Sequence, residues 1–306
     1  MNRRDEKSWL PSYVLITPAR NEAKFIEQTI LCMTAQTTKP LRWVIVSDGS
    51  TDGTDEIAGR YTKEYSWIHL LRMPERAERH FGGKVMAFNA GYAIVKHMHP
   101  DVIGNLDADV TFGPDHFEKL LFRCTSNNRL GVWGAPYIEN NSSYDYRFSN
   151  IENVWGGCQL FRRECYEDIG GYRPLKGGLI DHVAVVSARM KGWKTQTFLE
   201  SVCQHNRAMG TAQNTILQAR FYQGVKDYAA ANHPLWEAFR VIYQMGKEPY
   251  ILGGLVMAAG FFKSSISRRE RSVTPDLMAF TRREQMMRLK RLLGFRYGHN
   301  SANARK

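Results

Sequence analysis

An α/β fold built on a mostly parallel sheet with helices on both faces, followed by a helical C-terminal lobe, is what this sequence predicts. Three observations carry that expectation. Short β-branched runs alternate with helix-length segments through residue 106. The main runs end in polar clusters, as parallel strands do where they feed ligand-binding loops. Beyond Thr211 the strand pattern gives way to helical stretches punctuated by Pro234, Pro249 and Pro275.

Tyr13 to Thr17 (YVLIT) reads as a buried strand ending at Pro18, and Phe25 to Ala35 as a helix. Trp43 to Ser47 repeats the strand pattern and runs into Asp48 to Thr54, a turn-rich segment whose Asp and Thr side chains are expected to cap a helix over Asp55 to Tyr65. A third strand is expected around Trp67 to Leu71, a helix from Lys84 to about Lys96, and a fourth strand over Val102 to Leu106. After Thr111 the rhythm loosens. A helix from Pro114 to about Cys124, a strand from Val132 to Ile138, a loop rich in Asn, Ser and Tyr, and a strand near Cys158 to Phe161 follow. The division expected is residues 1–210 for the α/β domain, split into a first half of about 12–110 and a second of 111–210, with 211–306 as a helical, basic lobe.

Composition narrows the class. With 306 residues and 43% hydrophobic content the chain can bury a full core. The five cysteines (Cys32, Cys124, Cys158, Cys165, Cys203) are odd in number, scattered and never in a CxxC spacing, so neither a disulfide framework nor a zinc site is expected, and a reducing cytoplasm fits. The charged start, Met1 to Lys7, lacks the apolar stretch of a signal peptide.

The formal net charge of +12 concentrates from Lys263 to Lys306, where 12 Lys/Arg meet 3 Asp/Glu. Just upstream, Tyr250 to Phe262 is an unbroken run of apolar residues and glycines, shorter than the roughly 20 residues a membrane-crossing helix needs. Followed by Arg268, Arg269, Arg271, Arg282 and Arg283, it points to peripheral contact with an anionic membrane surface on the inner face of the cell membrane, with an ordinary core helix as the alternative. Nucleic acid is not expected as a partner.

The chemistry is expected at the strand ends. Asp107 and Asp109 stand two apart, so in extended geometry both carboxylates leave the same side of the chain and could hold Mg2+ or Mn2+. A pair of solvated, loop-capping aspartates fits the same spacing. Four segments then occur in order: TPARNE (Thr17 to Glu22), VSDGSTDGT (Val46 to Thr54), GGKVMAFNAG (Gly82 to Gly91) and NLDAD (Asn105 to Asp109). As a set they resemble the family 2 glycosyltransferases of GT-A fold, over roughly residues 12 to 210.

That resemblance implies a nucleotide-sugar donor (UDP-, GDP- or dTDP-linked), a divalent cation, Mn2+ or Mg2+, and inversion at the anomeric carbon. It aligns Thr17 and Ala19 with the loop lining the nucleoside, flanked by Arg20 and Glu22, and Asp48 with the carboxylate that meets the base. Lys84 matches a basic position that can offset phosphate charge. Asp181 matches the second residue of the family's Glu-Asp motif and is implied as the general base, with Ile180 where the family usually has Glu. His205 is implied as a further metal ligand beside Asp109 and Asp107, and Arg207 as a diphosphate contact.

On residues alone, the alternatives are a turn cap for Asp48, a surface cation for Lys84, and a first-turn acid favoured by the helix dipole for Asp181. His97 and His99 close a helix away from the strand ends and are expected to cap it. The acceptor expected is a glycan or lipid-linked hydroxyl in cell-surface glycan assembly of bacterial type. Gln218 to Tyr222 does not match the QxxRW signature of processive synthases, which favours single-sugar transfer. A retaining transferase, and a non-catalytic basic membrane- or nucleic-acid-binding protein, are the competing readings.

Overall fold

The computed structural model describes residues 10–75, 82–139, 142–143, 150–175, 178–207 and 215–294. Met1 to Lys7, most of the polar loop after Glu139 and residues 295–306 lie outside them. The chain divides into two compact units, Met1–Met209 and Gly210–Lys306.

The first unit opens with β1 (Tyr13–Ala19), α1 (Ile26–Thr34), β2 (Arg42–Asp48), α2 (Thr54–Glu64), β3 (Ile68–Met73), α3 (Gly82–Val95) and β4 (Val102–Leu106). His97 lies in a single 3-10 turn, Lys96–Met98, after α3, and His99 follows it with a left-handed backbone. The unit continues through β5 (Val110–Phe112), α4 (His116–Thr125), β6 (Leu130–Gly134), β7 (Tyr137–Glu139), β8 (Ser142–Ser143), β9 (Cys158–Arg162), α5 (Arg163–Asp168), α6 (Ile180–Met190), β10 (Lys194–Thr197) and β11 (Cys203–His205).

Seven strands form the main sheet in the order β10-β6-β9-β4-β1-β2-β3. All neighbours run parallel except β9, which is antiparallel to both β4 and β6. Alternation along the strands feeds two cores. Leu15, Trp43 and Ile45 face Ile30 of α1, Ala58 of α2 and Leu120 of α4. Val14, Ile16, Val44 and Val46 face Phe88 of α3, Cys165 of α5 and Val185 of α6. Helices therefore cover both faces, and each fully buried aliphatic or aromatic side chain contributes roughly 1.5–3 kcal/mol.

One expected strand is two. The run Val132 to Ile138 breaks at Ala135-Pro136, so β6 stays in the main sheet while β7 joins a second sheet ordered β5-β11-β7-β8. Pro136 has no N–H for a ladder, and its carbonyl accepts from Cys203 N at 2.9 Å, turning the chain toward β11.

The second unit holds α7 (Ile216–Ala229), α8 (Pro234–Met245), α9 (Leu252–Ile266) and α10 (Pro275–Leu292). The Tyr250 to Phe262 run fits neither of its two expected descriptions alone. Its glycine face is core: a Cβ on Gly260 would lie 2.1 Å from Phe221 O, and one on Gly224 1.9 Å from Met257 O, so α7 and α9 cross backbone to backbone. The opposite face leaves Leu252, Leu255, Phe262 and Ile266 exposed. No described helix is long and apolar enough to cross a membrane.

In this unit Asn232 Nδ2 donates to Glu237 Oε2 at 3.0 Å, and Arg240 pairs with Asp227 at 2.8 Å. Burial, then the charge of Asp227, pushes the Glu237 carboxyl up to about 7. Below its unfolded value near 4.5 both states are protonated. Between there and 7 the folded chain keeps a proton that the unfolded chain releases, so stability falls as pH rises through that window and levels off above it. The thermal midpoint is expected to drop from pH 5 to pH 8, and Glu237→Gln to flatten that slope; parallel melting profiles for the two chains would remove Glu237 as its source.

Candidate active site

The loops leaving β1 and β2 clasp each other. Thr51 N donates to Asn21 Oδ1 at 2.8 Å, Glu22 N to Thr54 Oγ1 at 2.8 Å and Ala23 N to Asp52 Oδ2 at 3.0 Å. The Asp and Thr side chains expected to cap α2 are thus shared with the neighbouring loop. Asp52 does accept from Thr54 N, but the N-cap itself is Gly53, at φ 92°. Behind the clasp Thr17 is buried, its hydroxyl accepting from Trp43 Nε1 at 2.8 Å, and Ala19 is buried beside it. Asp48, the last residue of β2, is buried at the same edge, while Arg20, directly after β1, is half-buried. These positions gather main chain and one carboxylate at the carboxyl ends of β1 and β2.

The Asp107-Ala108-Asp109 segment is a turn rather than an extended strand. β4 ends at Leu106, and Asp107 N donates to Gly157 O at 2.8 Å. Thr29 Oγ1 then lies 2.8 Å from Ala108 O and 3.0 Å from Val110 O as the chain passes into the second sheet. The carboxylates consequently diverge. Asp107 Oδ1 accepts from Lys84 Nζ at 2.6 Å and from Asn105 Nδ2 at 3.1 Å. Asp109 turns toward β11, where His205, the strand's last residue, sets Nε2 3.5 Å from Asp109 Oδ2.

Lys84, in the first turn of α3, stands among three acids. Burial alone would lower its ammonium; Asp107 first, then Asp181 and Asp109, more than reverse this and hold it above its usual value. Asp181 arrives from the opposite side, in the first turn of α6 behind Leu179, whose backbone is left-handed at φ 69°. Its carboxylate rests on the main chain of the Trp155-Gly156-Gly157 loop: a Cβ on Gly156 would sit 2.5 Å from Asp181 Oδ2 and 2.6 Å from its Cβ. The carbonyl of Gly156 is itself fixed by Asn105 Nδ2 at 2.6 Å. Gly156 is needed here because any side chain would occupy the space of the acid. Gly156→Ala is expected to fold normally and to slow turnover by about 100-fold through displacement of Asp181; unchanged kcat with an unchanged melting point would refute that placement.

Burial alone would raise the Asp109 carboxyl, but His205 and the charges of Arg207 and Lys84 hold it below the usual carboxylate range. Burial works against protonation of His205 as well, and Asp109 with Glu139 raises it nonetheless. Its Nδ1 lies 3.4 Å from Glu139 Oε2 without hydrogen-bond alignment. Arg207 pairs closely with Glu22, reaches Asp109 Oδ2 at 3.5 Å and stacks over Phe25.

The donor set fits a divalent cation. A carboxylate oxygen and an imidazole nitrogen stand side by side at Asp109 and His205, both mostly buried, in chemistry suited to Mn2+ and less so to Mg2+. Asp107, bound to Lys84, does not converge with that pair within 4.8 Å among the described residues. The charge balance points the same way. Among the described residues, the five acids Glu22, Asp107, Asp109, Glu139 and Asp181 gather with Lys84, Arg207 and His205, and the excess of carboxylates favours a cation there.

Sequence reasoning did not single out Glu139, Asn105 or the aromatic wall where Tyr137 and Trp155 stack at 4.4 Å with the His205 ring edge-on to both. Asn105 lay within a quoted motif. Glu139 and Tyr137 carry no local signal, because only the break after β6 brings them to the site.

The model of Glycosyl transferase family 2 matches residues 14–172. The chain is 32% identical over 156 residues to "Probable glycosyltransferase YdaM" of Bacillus subtilis (strain 168), covering 49% of this chain and 36% of that protein. It is 29% identical over 133 residues to poly-beta-1,6-N-acetyl-D-glucosamine synthase of Staphylococcus aureus (strain COL), covering 43% and 30%. It spans well under half the length of the first curated relatives it matches. Among solved structures, the mannosyltransferase PcManGT of Pyrobaculum calidifontis, in complex with GDP-Man and Mn2+, shares the fold with a TM-score of 0.56 and 18% identity over 94% of this chain and 82% of that one.

Proposed function

The chain belongs to glycosyl transferase family 2, and from that premise we propose that it transfers a single sugar from a nucleotide-diphosphate donor to an acceptor hydroxyl, with inversion at the anomeric carbon. The observation that carries this reading is Lys84, one ammonium held among Asp107, Asp109 and Asp181. Acids from the strand end and from α6 thereby share one pocket, as leaving-group and acceptor sides of a displacement must.

In this mechanism the clasped loops with Thr17, Ala19, Arg20, Glu22 and Asp48 receive the nucleoside, and a carboxylate there can accept from a base N–H. Asp109 and His205 would hold a divalent cation, Mn2+ or Mg2+, which would supply positive charge beside the leaving diphosphate. Lys84 and Arg207, oriented by Asp107 and Glu22, add fixed positive charge beside it. Asp181 accepts the proton of the incoming hydroxyl, while Trp155 and Tyr137 offer an apolar face to an acceptor sugar. Incubation with UDP-, GDP- and dTDP-sugars plus Mn2+ is expected to release nucleoside diphosphate from one of them, and NMR of the product to show the inverted anomer. A retained anomer would reject inversion, and no release from any donor would reject the transferase.

The acceptor we infer is a glycan or lipid-linked hydroxyl in cell-surface glycan assembly, supported by the named activity of the staphylococcal relative. The exposed face of α9, with exposed Arg268, Arg269 and Arg283, supports peripheral docking on the anionic inner face of the membrane. Flotation is expected to carry the protein with anionic vesicles at low salt and to lose it at high salt; equal recovery with neutral vesicles would count against charge-driven docking.

A further inference from the structure

Behind the carboxylates, three polar side chains meet in the core shared by α4, β9 and β11. His116, Cys158 and Cys203 are each fully buried. His116 Nε2 lies 3.5 Å from Cys158 Sγ and 3.6 Å from Cys203 Sγ, and the three ligand atoms fall within 4.8 Å of one another. The other ring nitrogen, Nδ1, is 2.6 Å from the hydroxyl of Ser201, which is also buried. None of the three touches the proposed reaction, and each cysteine is free. We propose that His116, Cys158 and Cys203 form a buried zinc site that ties α4, β9 and β11 together.

Distance is the first argument. A tetrahedral zinc about 2.3 Å from sulfur and about 2.0–2.1 Å from nitrogen sets those ligand atoms about 3.5 Å apart. Both measured sulfur–nitrogen edges match it. Orientation is the second. With Nδ1 engaged by Ser201, Nε2 is aimed at two sulfurs at once, the arrangement in which an outer hydrogen bond fixes a metal-binding imidazole. A proton on that nitrogen satisfies one sulfur well, whereas an ion satisfies all three groups.

Charge is the third. Two thiolates and a neutral imidazole balance Zn2+, so the filled site adds no net charge to an apolar core. Monovalent copper would leave a negative charge there. Among the described residues no fourth His, Cys, Asp or Glu joins the group, so these three side chains are the protein ligands. The sequence concealed the site because its ligands are 42 and 45 residues apart, on three different elements.

The consequence is mechanical. β9 begins directly after the Gly156-Gly157 loop and β11 ends on His205, so the ion would pin together the strands carrying both sides of the pocket. The full chain, expressed with zinc and dialysed, is expected to carry about one zinc per chain. Asp109→Ala should retain it, which separates this ion from the active-site cation, and Cys203→Ser should lose it. In the wild-type chain, replacement by Co2+ should give a thiolate-to-cobalt charge-transfer band, a readout independent of whether the variant folds. Chelation should lower the thermal midpoint by several degrees. A wild-type chain with no bound zinc and no charge-transfer band overturns the proposal. So does a metal-free chain whose mass is lower by two hydrogens until a thiol reductant restores it, since the pair would then be a disulfide.

Discussion

Asp181→Asn is expected to bind donor as tightly as the wild type and to turn over about 100- to 10,000-fold more slowly, the range spanned by removal of a positioned general base. The amide keeps the shape that rests on Gly156 and so preserves the loop. It lacks the lone-pair basicity needed to take a proton from the acceptor. Steady-state transfer with titrated acceptor, beside calorimetric donor binding, checks both halves. Turnover near the wild-type rate would remove Asp181 from the chemistry, and loss of donor affinity would recast it as part of the donor site.

The second large effect is expected at the other end of the pocket. Asp109→Ala should weaken Mn2+-dependent donor binding by about 100-fold or more, because it deletes the buried oxygen donor and strands His205 and Arg207 without their shared acid. Asp107→Ala should cost less metal dependence, since that carboxylate serves Lys84. Donor titrations with and without Mn2+ distinguish the two. If Asp109→Ala kept the full metal response, or if both variants lost it equally, the cation would be held differently from the Asp109–His205 arrangement.

The sheet was legible because its strands carry their own punctuation. YVLIT, WVIVS and VIGNL are β-branched, buried runs that stop where polar loops begin, and each falls within β1, β2 or β4. The second half was less legible. Nothing local tells that the Val132 to Ile138 run changes sheets, since the decision is made by Cys203 pairing with Pro136 across more than sixty residues. The same non-local step explains why two aspartates expected on one side of an extended chain separate onto Lys84 and His205. Glu139 reaches His205 only after that switch. On α9 the residue pattern allowed two surfaces to compete, a core face and an exposed one, and the glycines let it present both.

The contact between Gly156 and Asp181 positions the acid by packing. Among the described residues no hydrogen bond to the Asp181 carboxylate is formed; the group is aimed by a wall of main chain. A carboxylate steered by hydrogen bonds gives up acceptor capacity to its own scaffold, and its charge is partly quenched before an acceptor arrives. Steering by shape needs no hydrogen bond to either oxygen from the described residues. In the proposed mechanism the glycine thus aims the acid at the acceptor hydroxyl by shape.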